Sequence, residues 1–437
     1  VPAGRHHIIA SGVGFKTMEI PIDIYPGSML KVNFELEEDA VMLDNVVVSA
    51  NRNETKRREA SNIVNLISPK LMETTNSVCL AQSLNFQPGL RVENNCQNCG
   101  FQQVRINGLE GPYTQILIDS RPIFSALAGV YGIEQIPVNM IERVEVVRGG
   151  GSALFGSNAI AGTINIIIRE PLTNSLSIAN NTLMIGGTKA DINTTINAAL
   201  VSENNKAGIS LYGSSRQRDA WDANHDGFTE TGLIRAGNIG FRSYFKTSTQ
   251  SKLTFEYHNL EEFRRGGNKL HLPAHNSDIT EQTDHQINSG GIKWEVFTPD
   301  YRHRAQFYTS GQHIRRDSYY GTNQDPNAYG LTNDVALVAG GQYVVSMSKL
   351  LCMPVDFTIG AEYSYNHLVD NQLAYERDIN QEVYIASAFL QNEWKNKTVS
   401  LLLGMRYDKH NLIELPIVSP RINIRYPGIA PVCLHKQ

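Results

Sequence analysis

Apolar and charged residues alternate along Ile141-Glu142-Arg143-Val144-Glu145-Val146-Val147, the pattern of a half-buried strand. Gly149-Gly150-Gly151 break it, because glycine permits positive φ and a close backbone approach. Ser152-Ala153-Leu154-Phe155-Gly156 then reads as a tight small-residue turn, and 161–168 as a second β-rich run closed by Pro171. By pattern alone this is a two-stranded corner of a mixed α/β domain. Ahead of it, 63–66, 90–92, 103–106 and 114–118 read as strands. Ser68-Pro69 reads as a helix start with proline in the first turn, 77–85 as another short helix, and Asp119-Ser120 as a turn.

The first 38 residues are short strands and turns, at 8–10, 20–24 and 31–36, too few to bury a stable core alone. Residues 39–58 are a polar linker interrupted by the β-branched run at 43–50. Such a run either finishes the preceding domain or adds a strand to a partner's sheet edge. From about residue 175 the texture changes to segments of about ten residues alternating in polarity between Gly/Asn/Asp-rich turns. Leu253, Phe255 and Tyr257 alternate with Thr254, Glu256 and His258. Leu401, Leu403, Met405 and Tyr407 alternate with Ser400, Gly404, Arg406 and Asp408. A soluble sandwich would alternate too; about eleven or twelve such strands, some with Trp294, Trp394 or Tyr407 near an end, favour a membrane barrel.

Composition narrows the classes. A net charge of −4 argues against a basic nucleic-acid-binding surface. No stretch approaches the roughly 18 apolar residues of a spanning helix, which leaves a membrane barrel open. Five cysteines are too few for a disulfide scaffold, and only Cys96 and Cys99 are close; Cys79, Cys352 and Cys433 have no assigned role. No Ser/His/Asp order, P-loop or paired-carboxylate motif stands out, so an enzyme is not expected.

The stretch "IERVEVVRGGGSALFGSNAIAGTINIII" closely resembles the end of the plug domain of TonB-dependent outer-membrane receptors, those of the vitamin B12 and colicin I type among them. "VRINGLEGPYTQILIDSRPI" resembles the core of the same plug, with Asn107 and Ser120 departing mildly from it. "PAGRHHIIASGVGFKTMEIPIDI" resembles the last strands of a carboxypeptidase-regulatory-like domain. The resemblance implies a mainly β chain: a small α/β plug inside a transmembrane antiparallel β-barrel, preceded by part of a β-sandwich. The expected divisions are 1–38 partial sandwich, 39–58 linker, 59–170 plug, and 171–437 the N-terminal part of a barrel that is twenty-two-stranded in the family. An open half-barrel would expose an unpaired edge, so the chain is expected to be a fragment, with an export signal and the closing strands missing.

On that resemblance, "DNVVVSANR" is similar to the TonB box of vitamin B12 receptors. Asp44, Asn45, Val46, Val47, Val48, Ser49 and Ala50 are therefore expected to bind TonB, which the inner-membrane complex energises. Asn95, Cys96, Gln97, Asn98, Cys99, Leu109, Glu110 and Tyr113 are expected in plug loops facing a small-molecule ligand. Cys96 and Cys99 could form a metal half-site, a redox pair or a small disulfide loop; export favours the disulfide. Arg105, Arg143 and Arg148 are expected to form plug–barrel salt bridges. Asp222, Asn224, Asp226 and Gly227 match the start of an EF-hand loop. Leu233 stands where the twelfth-position acid belongs and Glu230 substitutes, so the loop is either a Ca²⁺ site, as in the acidic loops of B12 transporters, or a solvated hairpin. His271, His275 and His285 read as one polar extracellular loop. The implied setting is a Gram-negative outer membrane, with lipid and TonB as partners, no nucleic acid, and room for a surface lipoprotein. The implied cargo is cobalamin, with haem or a ferric siderophore as alternatives, and a non-transporting adhesin as the rival class.

Overall fold

The computed structural model describes residues 4–10, 18–25, 27, 30, 32, 34, 46–49, 52, 55–57, 60–96, 101–122, 138–156, 159–350, 353–396 and 399–426. Two small antiparallel hairpins come first, β1 (Gly4–Ala10) with β2 (Met18–Ile24) and β3 (Val46–Val47) with β4 (Thr55–Lys56). The strand expected at 31–36 falls largely outside the described residues.

A compact unit follows: β5 (Val64–Ile67), α1 (Pro69–Thr74), α2 (Leu80–Leu84), β6 (Leu90–Cys96), β7 (Phe101–Ile106), β8 (Thr114–Ile118), β9 (Ile141–Arg148), α3 (Ser152–Phe155) and β10 (Gly162–Ile168). Ser68 caps α1 as its neighbour Pro69 suggests, its Oγ accepting from Leu71 N at 3.3 Å. The small-residue turn after the glycines tightens into α3, because the Leu154 and Phe155 amides both reach back to Gly151 O at 2.9 and 3.0 Å. Four strands form a mixed sheet in the order β5-β9-β10-β8, with β8 and β10 parallel and the other neighbours antiparallel.

The structure corrects the half-buried reading of β9. The strand lies inside the sheet and is covered on both faces. Val144 and Val146 join the main core with Ile164, Ile166, Leu80 and Leu84, while Val147 packs with Val47, Ala60 and Val64. Glu145, the charged residue the alternation would send to solvent, is fully buried.

The remaining strands pair antiparallel in sequence order in one twelve-stranded sheet. They are β11 (Ser175–Ile185), β12 (Lys189–Val201), β13 (Ala207–Arg218), β14 (Leu233–Ser248), β15 (Ser251–Gly267), β16 (Ile279–Phe297), β17 (His303–Thr322), β18 (Tyr329–Leu350), β19 (Met353–Gln372), β20 (Arg377–Lys395), β21 (Ser400–His410) and β22 (Ile417–Arg425). Connections at the end where the chain enters the sheet are short (202–206, 249–250, 298–302), whereas 219–232 and 268–278 at the other end are long, the asymmetry of outer-membrane barrels. From β14 to β20 the strands run 16–22 residues, beyond the roughly 9–11 that cross a bilayer. No helix among the described residues is long and apolar enough to do so.

The period-two pattern sorts the two faces as the sequence suggests. Phe255, Tyr257, Trp294, Phe307, Leu403, Met405 and Tyr407 stand exposed on the outside. Thr254, Glu256, Tyr308, Glu362, Arg406 and Asp408 are turned inward onto the compact unit, the expected plug, which the open sheet wraps.

Gly162 opens β10 at φ +154, and a Cβ there would lie 2.2 Å from Val147 O of β9. Gly162→Ala should therefore separate β9 from β10 and destabilise the plug by about 3 kcal/mol, read as a lower plug unfolding midpoint in denaturant with the barrel transition unchanged.

Candidate functional site

The plug is gripped by charge. After β8 the chain turns through Asp119 and Ser120, both with positive φ, and delivers Arg121 to the wall. Arg121 is almost wholly buried; it bonds Glu256 of β15 and lies 3.6 Å from Asp119. Arg242 of β14 bonds Asp119 and lies 3.3 Å from Glu256. Two arginines and two carboxylates, one of each from plug and wall, thus interlock. Gly291 on β16 makes room, because a Cβ there would meet Arg121 Nη1 at 2.7 Å and Thr309 O at 3.0 Å. Burial alone would raise the Asp119 pKa; the nearby Arg242, Arg121 and Lys293 outweigh it and bring the carboxyl to about 2.

A second charged contact joins Arg52 to the opposite part of the wall. Its guanidinium lies 3.3 Å from Glu362 Oε2 on β19 and donates to Tyr308 OH of β17 at 3.4 Å. It sits 4.9 Å from the ring centres of both Phe155 of the plug and Phe389 of the wall, where cation–π attraction adds to the ion pair. Glu362 also holds Arg406 at 3.2 Å, and Arg406 Nη1 donates to Leu154 O of the plug at 3.1 Å. Single polar contacts complete the circuit: Asn181 to Asn76 O, Asn139 to Gly213 O, Lys252 to Glu170, Gln342 to Arg52 O, Asn423 to Asn62, and Arg425 to Ala60 O.

Arg105, Arg143 and Arg148 do not make these bridges. Arg105 pairs with Glu93 at 2.5 Å and Glu110 at 3.7 Å, Arg143 with Glu142 at 2.6 Å and Glu145 at 3.0 Å, and Arg148 lies against the Asn65 carboxamide. All three sit on strands inside the plug, where neighbouring strands and adjacent positions already supply their partners. The residues that reach the wall come from turns and the linker, Arg121 and Arg52. The dipeptide Asp119-Ser120 reads only as a turn, and nothing in 39–58 marks Arg52, so sequence reasoning missed both.

Of the segment 44–50, Asp44, Asn45 and Ala50 lie outside the described residues, as does the side chain of Val46. The described part is docked on the plug. Val47 is fully buried beside Val147, and Val48 N and Ser49 N both donate to Glu145 Oε2 at 2.9 Å. The side chains of Asn95 and Cys96, and all of Gln97, Asn98 and Cys99, lie outside the described residues, so the disulfide falls there too. Leu109, Glu110 and Tyr113 are exposed between β7 and β8.

At the long-loop end, Asp222, Asp226 and Glu230 converge, each offering a carboxylate oxygen within 4.8 Å of the others. Asp222 accepts from His225 N and Gly227 N at 2.7 and 2.8 Å, and Glu230 from Ala223 N at 2.6 Å. Asn224, expected as a fourth oxygen ligand, turns Oδ1 to Asp226 N and Nδ2 to Asp226 Oδ2. Beside the cluster is an open cleft of about 760 Å³ lined by Trp221, His225, Lys269 and His271 among others. His285 is not in this loop region; it lies on β16, buried.

Residues 56–163 match the TonB-dependent Receptor Plug Domain. The chain is 26% identical over 384 residues to the vitamin B12 transporter BtuB of Vibrio vulnificus, covering 85% of this chain and 58% of that protein. It is 32% identical over 127 residues to the vitamin B12 transporter BtuB of Photobacterium profundum, 28% of this chain and 20% of the other. Among solved structures, the siderophore receptor PirA of Acinetobacter baumannii superposes with a TM-score of 0.67 at 18% identity, covering 85% of this chain and 60% of that one. The ferric enterobactin receptor PfeA gives 0.68 at 18%, covering 83% and 60%. The chain therefore spans about three-fifths of the length of the Vibrio vulnificus protein and of these structures.

The interlocked charges set two expectations. Glu256→Gln leaves Arg121 and Arg242 with one carboxylate between them, and should weaken plug docking by about 3 kcal/mol, measured by chemical denaturation followed with a plug-specific probe. Asp119 has a depressed folded pKa, so its contribution is complete above the ordinary 3.8 and fades as pH falls toward about 2. Acid titration should show that loss, and Asp119→Asn should remove it.

Proposed function

We propose that the chain, whose residues 56–163 match the plug domain of TonB-dependent receptors and which is 26% identical over 85% of its length to a vitamin B12 transporter, works as a receptor of that family in energy-coupled import across the outer membrane of a Gram-negative bacterium, with cobalamin as cargo. The observation that carries this reading is a plug seated by charge on a polar wall, preceded by a β-branched segment whose described part, Val47 to Ser49, is docked on the plug. Such a segment can add to a partner's sheet edge through its own backbone, and we assign 44–50 to TonB. The ligand would meet the exposed Leu109, Glu110 and Tyr113 and the long loops. The cobalamin assignment rests on the relatives of 26–32% identity, which are named as vitamin B12 transporters; the receptors matched by structure, at 18% identity, support the fold alone.

Radiolabelled cobalamin uptake into cells carrying the receptor as their B12 route tests it. Uptake should require the proton gradient. Val47→Pro, which removes a backbone donor, should abolish uptake while surface binding of cobalamin persists. Gradient-dependent uptake of a ferric siderophore or haem in place of cobalamin would replace the cargo but keep the transport reading. Surface binding with no uptake of any of the three would favour an adhesin.

The acidic cluster we assign to Ca²⁺. Three carboxylates drawn this close repel one another without a counter-ion, and hard oxygen donors suit calcium. Without a bidentate twelfth-position acid, affinity should be weak, about 10⁻⁴ M. Calorimetry should show calcium binding that Asp226→Ala removes. Cobalamin affinity should fall in chelator for the native protein and stay unchanged there for the variant.

A further inference from the structure

We propose that the outer flank of the wall carries a phosphate site built on Arg265, whose ligand is the phosphorylated head group of an outer-leaflet glycolipid. The site faces away from the plug. It depends on the sheet's place in the outer membrane, and on neither the cargo nor TonB.

Arg265 is 7% exposed, and among the described residues only its Nη2 has a partner, Ser277 Oγ at 2.9 Å. Its Nε is buried with no acceptor. Arg242, Arg264, Arg316 and Arg406, buried in the wall to a similar degree, each hold a carboxylate. Arg265 holds none among the described residues. Asp278, next to its partner Ser277, is itself held by Lys269 and Asn268, each at 2.7 Å. Asp284 and Glu261 lie lower on the same face and do not bond it. An unpaired charge out of water is costly, so the missing counter-charge comes from outside the protein.

Position and donor set name the ligand's class. Arg265 shares the outward face of β15 with Phe255 and Tyr257, in a bulge-free register with β16. That face turns polar at Asn259 and Glu261, with Asn288 and Gln286 opposite, so Arg265 stands above the apolar band. At that height its neighbours in the membrane plane are lipid head groups. Residues 268–278 lie against this flank, where Ala274 packs with the fully buried Tyr319 of β17. Tyr319 meets Tyr329 at 4.9 Å, and Tyr329 OH lies 3.0 Å from His275 Nδ1. Tyr329 is also the titratable neighbour whose charge acts on Arg265. Whichever of Tyr329 and His275 donates in their bond, a second proton stays free, on the phenol in one case and on Nε2 in the other. A carboxylate is best met by two coplanar guanidinium nitrogens, but Nη2 is engaged by Ser277 and Nε is sealed. A phosphate monoester takes single bonds at several oxygens, which one cation and one neutral donor from separate elements can give.

Calorimetry and thermal unfolding of the receptor purified in neutral detergent test this, with the phosphorylated glycolipid extracted from its own outer membrane as probe. The native receptor should bind the glycolipid and melt higher with it. Arg265→Gln should bind about tenfold more weakly and lose most of that gain. Without glycolipid, however, Arg265→Gln should melt no lower than the native protein, because it sheds an unpaired buried charge. Tyr329→Phe, which removes only the hydroxyl, should bind a few-fold more weakly and carries the test if Arg265→Gln does not fold. Dephosphorylated glycolipid should no longer distinguish Arg265→Gln from the native receptor. No binding by the native receptor, or equal binding by it and both variants, would overturn the site. A lower melting point of Arg265→Gln without glycolipid would reveal a counter-charge inside the protein and overturn the premise. Undiminished binding of the dephosphorylated glycolipid would overturn the phosphate assignment. Inorganic phosphate alone should stabilise the native receptor far less than the glycolipid does; if it saturates the effect, the ligand is soluble phosphate and the lipid assignment falls.

Discussion

Asp119 and Arg121 of the plug interlock with Arg242 and Glu256 of the wall, and much of the architecture serves that contact. None of the four could be buried alone, because an unpaired charge out of water costs several kcal/mol. The plug therefore cannot simply be shifted within the sheet: displacement by one strand would face each arginine with the wrong partner. The left-handed turn at Asp119 and Ser120 aims the arginine, and the missing side chain at Gly291 leaves it space. Apolar packing between plug and wall is present but local, as where Phe389 joins Leu117, Leu154 and Phe155. Charge fixes the seat, and packing fills around it.

The sheet meets two solvents by alternation alone. Along β15, Phe255 and Tyr257 face outward while Thr254, Glu256 and His258 face the plug, and β21 repeats the arrangement with Leu403 and Met405 against Arg406 and Asp408. A one-residue slip would exchange the two sets. Long hairpin registers, such as Ser251 to Gly267 of β15 against Thr280 to Val296 of β16 without a bulge, hold them in place.

The fold was legible in the sequence because period two in long segments is a strong signal and the plug motif is long and ungapped. Val144 and Ile164 fell where the pattern put them, in strands. Burial of charge was not legible. Glu145 and Arg143 occupy equivalent places in an alternating run, yet one is sealed in the core and the other is a fifth exposed; local pattern cannot report a linker that folds back from nearly a hundred residues away. Charge on a strand draws attention, but the plug-side arginines that reach the wall, Arg121 and Arg52, lie in a turn and a linker. Asp222, Asp226 and Glu230 were legible as a cluster because their spacing is local, whereas the role of Asn224 depended on which way its amide turned.

The wall's inner face has one further consequence. Its groups facing the plug include Glu256, Arg242, Glu362, Arg406 and Asp408, all of which bond water as readily as they bond protein. Where the plug withdraws, the space between need not stay empty or collapse: a channel lined this way wets spontaneously, whereas an apolar bore of similar width would tend to dry. Hydration then stands in for the lost contacts, lowering the work of displacement as it proceeds. On the proposed import reading, the route opened would be an aqueous one, suited to a solute that keeps much of its own hydration in transit.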